Sequence, residues 1–150
     1  MIRKKNVYFS EVAHYRFFEG VQEFLNELVR RGKALALVTG TSRFELEKIL
    51  PPEFLALFRV VITSDDVQQW KPNPEPYQKA LGQLNVSPKS ALVIENAPFG
   101  IQSARAAGIR CLAVETSLTC PFLVGAEQCF KNIQDLAEFL IPGLRKPSAS

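Results

Sequence analysis

The sequence predicts an α/β domain built on a parallel sheet, with helices on both faces. Two observations carry this. Four short apolar runs, 34–38, 60–62, 91–94 and 111–114, are continuous rather than alternating, as expected of strands covered on both sides. Between them lie stretches whose apolar residues recur at spacings of three and four. Right-handed crossovers then put helices on both faces, and a ligand belongs beyond the carboxyl ends of the strands.

The elements follow in order. Val21, Phe24, Leu25, Leu28 and Val29 mark a first helix, closed by Arg30-Arg31-Gly32. Ala34 to Val38 is the first strand. Phe44, Leu46, Ile49 and Leu50 mark a second helix, capped at Thr41-Ser42 and ended by Pro51-Pro52. Val60 to Ile62 is the second strand. Pro76, Tyr77, Ala80, Leu81 and Leu84 mark a third helix, and Ala91 to Ile94 a third strand. Ile101, Ala104 and Ala107 form a fourth helix, stopped by Gly108. Cys111 to Val114 is the fourth strand, and Gln128 to Phe130 a weaker fifth. Ile133, Leu136, Phe139 and Leu140 make a last helix, with Asn132 as its cap.

The chain has 150 residues, room for one domain with a real core. An apolar content of 47% and a charged content of 22% are ordinary for a globular protein. The net charge of +3 and the lack of a basic stripe with interleaved aromatics argue against nucleic acid. Arg3-Lys4-Lys5 reads as a solvated end. No apolar run of membrane-spanning length occurs, and no apolar stretch follows the basic N-terminus as a signal peptide requires. The cysteines, Cys111, Cys120 and Cys129, are three and form no CxxC pair. Neither a disulfide framework nor a zinc site is expected from them, and Cys111 and Cys129 read as small core residues. The expected location is cytoplasmic, with reduced thiols.

Candidate chemistry stands just after the strands. Thr39-Gly40-Thr41-Ser42 could cradle an anion: Gly40 admits close backbone approach, and free N–H groups open the next helix. The same residues also read as a plain helix cap. Lys71 precedes prolines at 72, 74 and 76, which stiffen its loop and hold the ammonium at low entropic cost. An ordinary exposed lysine would fit that loop too. Asp65 and Asp66 suit a turn or helix start better than a metal. Glu95-Asn96 follows the third strand, where carboxylate and amide oxygens suit a hard cation, or Asn96 serves as a turn residue.

In this order, Thr39 in LVTGTS, Lys71 in KPNPEPY and Glu95-Asn96 in VIENAPFGIQSARAAGI resemble the second, third and fourth motifs of the haloacid dehalogenase-like (HAD) superfamily. Within it they resemble the phosphatase and β-phosphoglucomutase-like branch, over roughly residues 18–130. The resemblance implies a three-layer, Rossmann-type core and magnesium-dependent phosphoryl transfer through an aspartyl-phosphate, on a small phosphorylated metabolite. It implies that Thr39, Gly40, Thr41 and Lys71 bind phosphate, with Thr39 and Lys71 catalytic, and that Glu95 and Asn96 hold magnesium. Phosphoryl transfer asks chiefly for such positioning and charge stabilisation.

Two departures accompany it. The family's opening Asp-x-Asp is absent, since Asp65 is the first aspartate in the chain. Asn96 stands where an aspartate is common, so magnesium should bind more weakly. The expectation is a partial core, lacking its central first strand and inactive as it stands: residues 1–17 a remnant of a cap-to-core connection, 18–142 the core, 143–150 a flexible tail. The strands ending at Thr39 and Glu95 must then pair with each other, leave a cleft, or accept a strand, and self-association through strand edges becomes possible. A non-catalytic phosphate-binding or protein-interaction module is the alternative function, and an unrelated flavodoxin-like domain a third.

Overall fold

The computed structural model describes residues 17–144. Residues 1–16 and 145–150, which include nearly all of the expected cap remnant and most of the expected tail, lie outside the described residues.

The order is α1 (Val21–Arg30), β1 (Ala36–Val38), α2 (Arg43–Ile49), α3 (Pro52–Leu55), β2 (Val60–Ile62), α4 (Glu75–Leu84), β3 (Leu92–Glu95), α5 (Pro98–Ala106), β4 (Arg110–Val114), β5 (Gln128–Phe130) and α6 (Ile133–Leu140). All strand pairs are parallel: β1 with β2, β3 with β4, and β4 with β5. β4 explains the layering. Cys111 and Ala113 face a core with Tyr77 and Leu81 of α4 and Ile101 and Ala104 of α5. Leu112 and Val114 face the other way, onto Phe24 of α1 and Ile133 and Leu136 of α6. Period-two alternation on one strand thus serves two helical layers.

The sheet is in two pieces, β1-β2 and β3-β4-β5. Of the three outcomes expected for the strands ending at Thr39 and Glu95, pairing with each other does not occur. Continuous coverage of every strand also fails. Val93 is buried toward α5, but Leu92 and Ile94 are each 38% exposed, and β1 is only half-buried. Their apolar faces lack the neighbour that a middle strand would have.

The helix ends behave as local chemistry dictates. Ser42 accepts the Glu45 N–H while the Glu45 carboxylate accepts the Ser42 N–H, a reciprocal cap. Asn132 accepts the Asp135 N–H at 2.7 Å. Pro51-Pro52 ends α2, and Pro52 also opens the short α3, where its missing N–H costs nothing. Phe44 does not join the core: it is 69% exposed, with the Lys48 ammonium 3.9 Å from its ring centre.

The cysteine expectation is corrected. Cys120 and Cys129 form a disulfide, their Cα atoms 5.8 Å apart, while Cys111 is a buried free thiol. The loop after β4 turns back on itself, so residues nine apart meet across the start of β5. Cys129 still packs against the core, as a bonded half-cystine.

Candidate active site

Three segments meet at the carboxyl ends of β1 and β3. The Lys71 ammonium donates to Glu95 Oε1 at 2.6 Å and to the Val38 carbonyl at 3.2 Å, one residue before Thr39. The Tyr77 hydroxyl donates to the same Oε1 at 2.6 Å. The Asn96 N–H donates to Oε2 at 3.1 Å. This ion pair is nearly dry, with side-chain exposures of 13% for Lys71 and 8% for Glu95. The Lys71 nitrogen also stands 5.0 Å from the Tyr77 ring centre and 5.6 Å from that of Trp70. Two aromatic rings, a carbonyl and a carboxylate therefore fix one cation.

The Lys71 loop is braced from several sides. The Glu75 carboxylate accepts the N–H groups of Gln68 and Gln69, Asn73 Oδ1 accepts the Glu75 N–H, and buried Ser103 on α5 donates to the Asn73 carbonyl at 2.6 Å. The Lys71–Pro72 peptide is cis, and Pro76 is fully buried. The stiffness expected from the prolines comes equally from these hydrogen bonds.

Thr39 begins the loop after β1. Its N–H bonds the Ile62 carbonyl, and its Oγ1 accepts the Thr41 N–H at 3.2 Å. The threonine hydroxyl keeps its own proton to donate. Gly40 lies against Trp70, where a Cβ would stand 3.0 Å from the indole nitrogen. Asp65 and Asp66 take the turn roles expected of them. Asp65 accepts the Arg43 N–H at 2.9 Å, and Asp66 accepts both the N–H and the hydroxyl of Thr63.

Tyr77 and Gly100 are site residues that sequence reasoning missed. Burial, and then the neighbouring Glu95 charge, push the Tyr77 phenol well above its ordinary pKa, so it stays a donor. Gly100 on α5 lies under the Glu95 carboxylate, where a Cβ would meet Cδ at 2.0 Å. Cys111 lies on the β4 face behind this site, and burial pushes its thiol up to about 12.

Glu95 and Asn96 are oxygen donors of the kind magnesium prefers. Oε1 already takes Lys71 and Tyr77, Oε2 takes an N–H, and the Asn96 amide donates to Thr116 Oγ1 at 2.8 Å. Among the described residues no group of three acidic, histidine or cysteine ligands includes Glu95. These residues alone do not fit a magnesium ion. A cavity of about 250 Å³ is lined by Phe18, Glu115, Thr116, Lys131 and Asn132, and the Thr116 hydroxyl on its wall is the one that accepts the Asn96 amide.

A lysine–carboxylate pair thus stands beside Thr39 at the carboxyl ends of parallel strands in an α/β domain. The chain belongs to the haloacid dehalogenase-like hydrolases, whose family model matches residues 1–114. It is 37% identical over 119 residues to validoxylamine A 7'-phosphate phosphatase of Streptomyces hygroscopicus subsp. limoneus, covering 79% of this chain and 56% of that protein. It is 38% identical over 102 residues to pyrophosphatase PpaX of Bacillus cereus (strain B4264), covering 67% and 47%. A β-phosphoglucomutase-like protein of Thermotoga maritima superposes with a TM-score of 0.74 at 31% identity, covering 81% of this chain and 58% of that one. The chain spans about half the length of the curated relatives it matches. Among the described residues no helix is long and apolar enough to cross a membrane.

Proposed function

We propose that these 150 residues carry the lysine and threonine half of a phosphoryl-transfer site for a small phosphorylated metabolite, and do not turn substrate over by themselves. The observation that carries this is the 2.6 Å Lys71–Glu95 pair beside Thr39 at the strand ends. Lys71 places a fixed positive charge where phosphoryl oxygens would gather, and the Thr39 hydroxyl donates to one of them. Gly40 lets the backbone come close, and Trp70 shields the lysine from water. Catalysis in this reading needs a carboxylate nucleophile. The chain has no aspartate before Asp65, and Asp65 and Asp66 are committed to Arg43 and Thr63. Magnesium belongs to the complete site. Here Glu95 is engaged by its neighbours, and metal binding is weak or absent. A cytoplasmic location goes with a charged metabolite as substrate.

A second reading, a non-catalytic module that binds phosphate or a protein partner, draws on the same missing aspartate. One set of assays separates a phosphate site from a protein-interaction module. With an aryl phosphate and excess magnesium, the purified chain shows no turnover, yet binds inorganic phosphate, and Lys71→Ala loses that binding. Turnover that vanishes in Lys71→Ala overturns the inactive reading. Failure to bind phosphate at all overturns the phosphate site and leaves the protein-interaction module.

A further inference from the structure

We propose that Cys120, Cys129 and Glu115 form a redox-gated site for a thiolate-loving divalent cation such as zinc, separate from the Lys71–Glu95 pair. The ligand atoms of these three residues lie within 4.8 Å of one another, and all three side chains are half-buried. Among the described residues no other group of three acidic, histidine or cysteine side chains comes together this way. The set is two sulfurs and one carboxylate oxygen. That combination suits tetrahedral zinc, with water completing the fourth position, and suits magnesium poorly.

The frame around the three residues is built before any metal arrives. Glu115 directly follows β4, its N–H bonds the Phe130 carbonyl of β5, and its Oε1 accepts the Cys120 N–H at 2.6 Å. Cys129 is the middle residue of β5, paired in register with Ala113 of β4. Cys120 opens a short 3-10 turn, Cys120–Phe122. One ligand therefore sits on β5 and one just past the end of the adjacent β4, and the third is tethered to the latter. Two thiolates on a tetrahedral zinc stand roughly 3.8 Å apart, given Zn–S bonds of about 2.3 Å. With Cα atoms 5.8 Å apart, side-chain rotation reaches that spacing with little backbone movement.

The disulfide closes this site, because bonded sulfurs are poor ligands. Opening it takes a dithiol reductant. The S–S bond receives two electrons and two protons and yields two thiols, while the reductant becomes its own disulfide. The cation then displaces both protons and binds the two thiolates. In a thiol-rich compartment the metal form replaces the disulfide.

The test uses the whole chain and cobalt(II) as the probe. After reduction and anaerobic removal of the reductant, one equivalent of cobalt should bind, with thiolate-to-cobalt charge-transfer absorption. Zinc should displace it. The oxidised chain should show no such band, which serves as a control that needs no substitution. Cys120→Ser and Cys129→Ser should each abolish the band, and Glu115→Gln should weaken binding about tenfold or more. Circular dichroism of each reduced variant checks folding. Cys111 is a buried free thiol that does not belong to the group, and Cys111→Ala should leave the band unchanged. A reduced parent that gives no band, a band that survives Cys120→Ser, or equal affinity in a folded Glu115→Gln overturns the proposal.

Discussion

Gly100 lies so close beneath Glu95 that a Cβ there would stand 2.0 Å from Cδ and 2.1 Å from Oε1. The carboxylate cannot simply swing aside, because Lys71, Tyr77 and the Asn96 N–H hold its two oxygens. Gly100→Ala should therefore break the Lys71–Glu95 contact and destabilise the fold by about 1–3 kcal/mol, the usual cost of overpacking. A urea midpoint equal to the parent's would mean that Glu95 relaxes at no cost.

Tyr77→Phe tests the other support of Glu95. It removes one donor from a buried carboxylate and leaves the ring packing intact, at an expected cost of about 1–3 kcal/mol. The phenol's raised pKa gives a second readout. In alkaline titration of the folded state, the parent and Tyr77→Phe should show the same phenolate absorbance. They should separate only once the chain unfolds. An extra phenolate in the folded parent would show Tyr77 to be open to solvent.

The legible parts of this molecule are those written in local pattern. Val60 to Ile62 matches its apolar run residue for residue, and Ser42 with Glu45 three positions on is a cap that spacing alone reveals. Thr39, Lys71 and Glu95 are legible as candidates because each comes after its own apolar run. Tyr77 escaped because an aromatic at a helical position reads as core, and its hydroxyl gains meaning only when β3 lies alongside. Gly100 reads as one more small residue near a helix start. A faint signal existed: a glycine inside a helix, five residues after an acid that closes a strand, where alanine would serve the helix better. The Cys120–Cys129 pairing depends on how the loop after β4 folds back, which no local spacing encodes. The break between the two sheet pieces is likewise a long-range fact, visible in sequence only as a strand the family expects.

Asp66 should set part of the acid stability. The Thr63 N–H, then the Thr63 hydroxyl, with Arg43 adding less, hold its carboxyl below its ordinary value of 3.8. A carboxylate with a depressed folded pKa contributes stability above its unfolded pKa and loses it as pH falls through the folded value. The loss therefore runs downward from about 3.8. Asp66→Asn should lower stability by about 1 kcal/mol at neutral pH, since an amide oxygen can still accept the Thr63 groups but lacks the charge that strengthens those bonds and pairs with Arg43. It should also flatten the acid limb of a stability-against-pH curve. An acid limb identical to the parent's would assign that limb to other carboxylates.

The last prediction concerns the open edges. β1 pairs only with β2, and β3 only with β4, while Lys71 bridges their carboxyl ends. Each therefore has one edge without a strand partner among the described residues, and the half-exposed Leu92 and Ile94 on β3 are apolar. A strand edge without a partner is a ready template for another strand. Unsatisfied strand groups cost about 1–3 kcal/mol each, against a total stability of about 5–15 kcal/mol for an ordinary domain. A short apolar peptide ending in Asp-x-Asp, added in excess, should enter between β1 and β3 as a parallel strand. It should raise the melting temperature in proportion to the logarithm of its concentration. Its two carboxylates would arrive beside Lys71, an arrangement that favours insertion at low salt. The same peptide with proline at its centre cannot complete the ladder and should give no shift. A monomer that melts cooperatively at high temperature, and is indifferent to the first peptide, would mean that the two sheet pieces are stable as they stand.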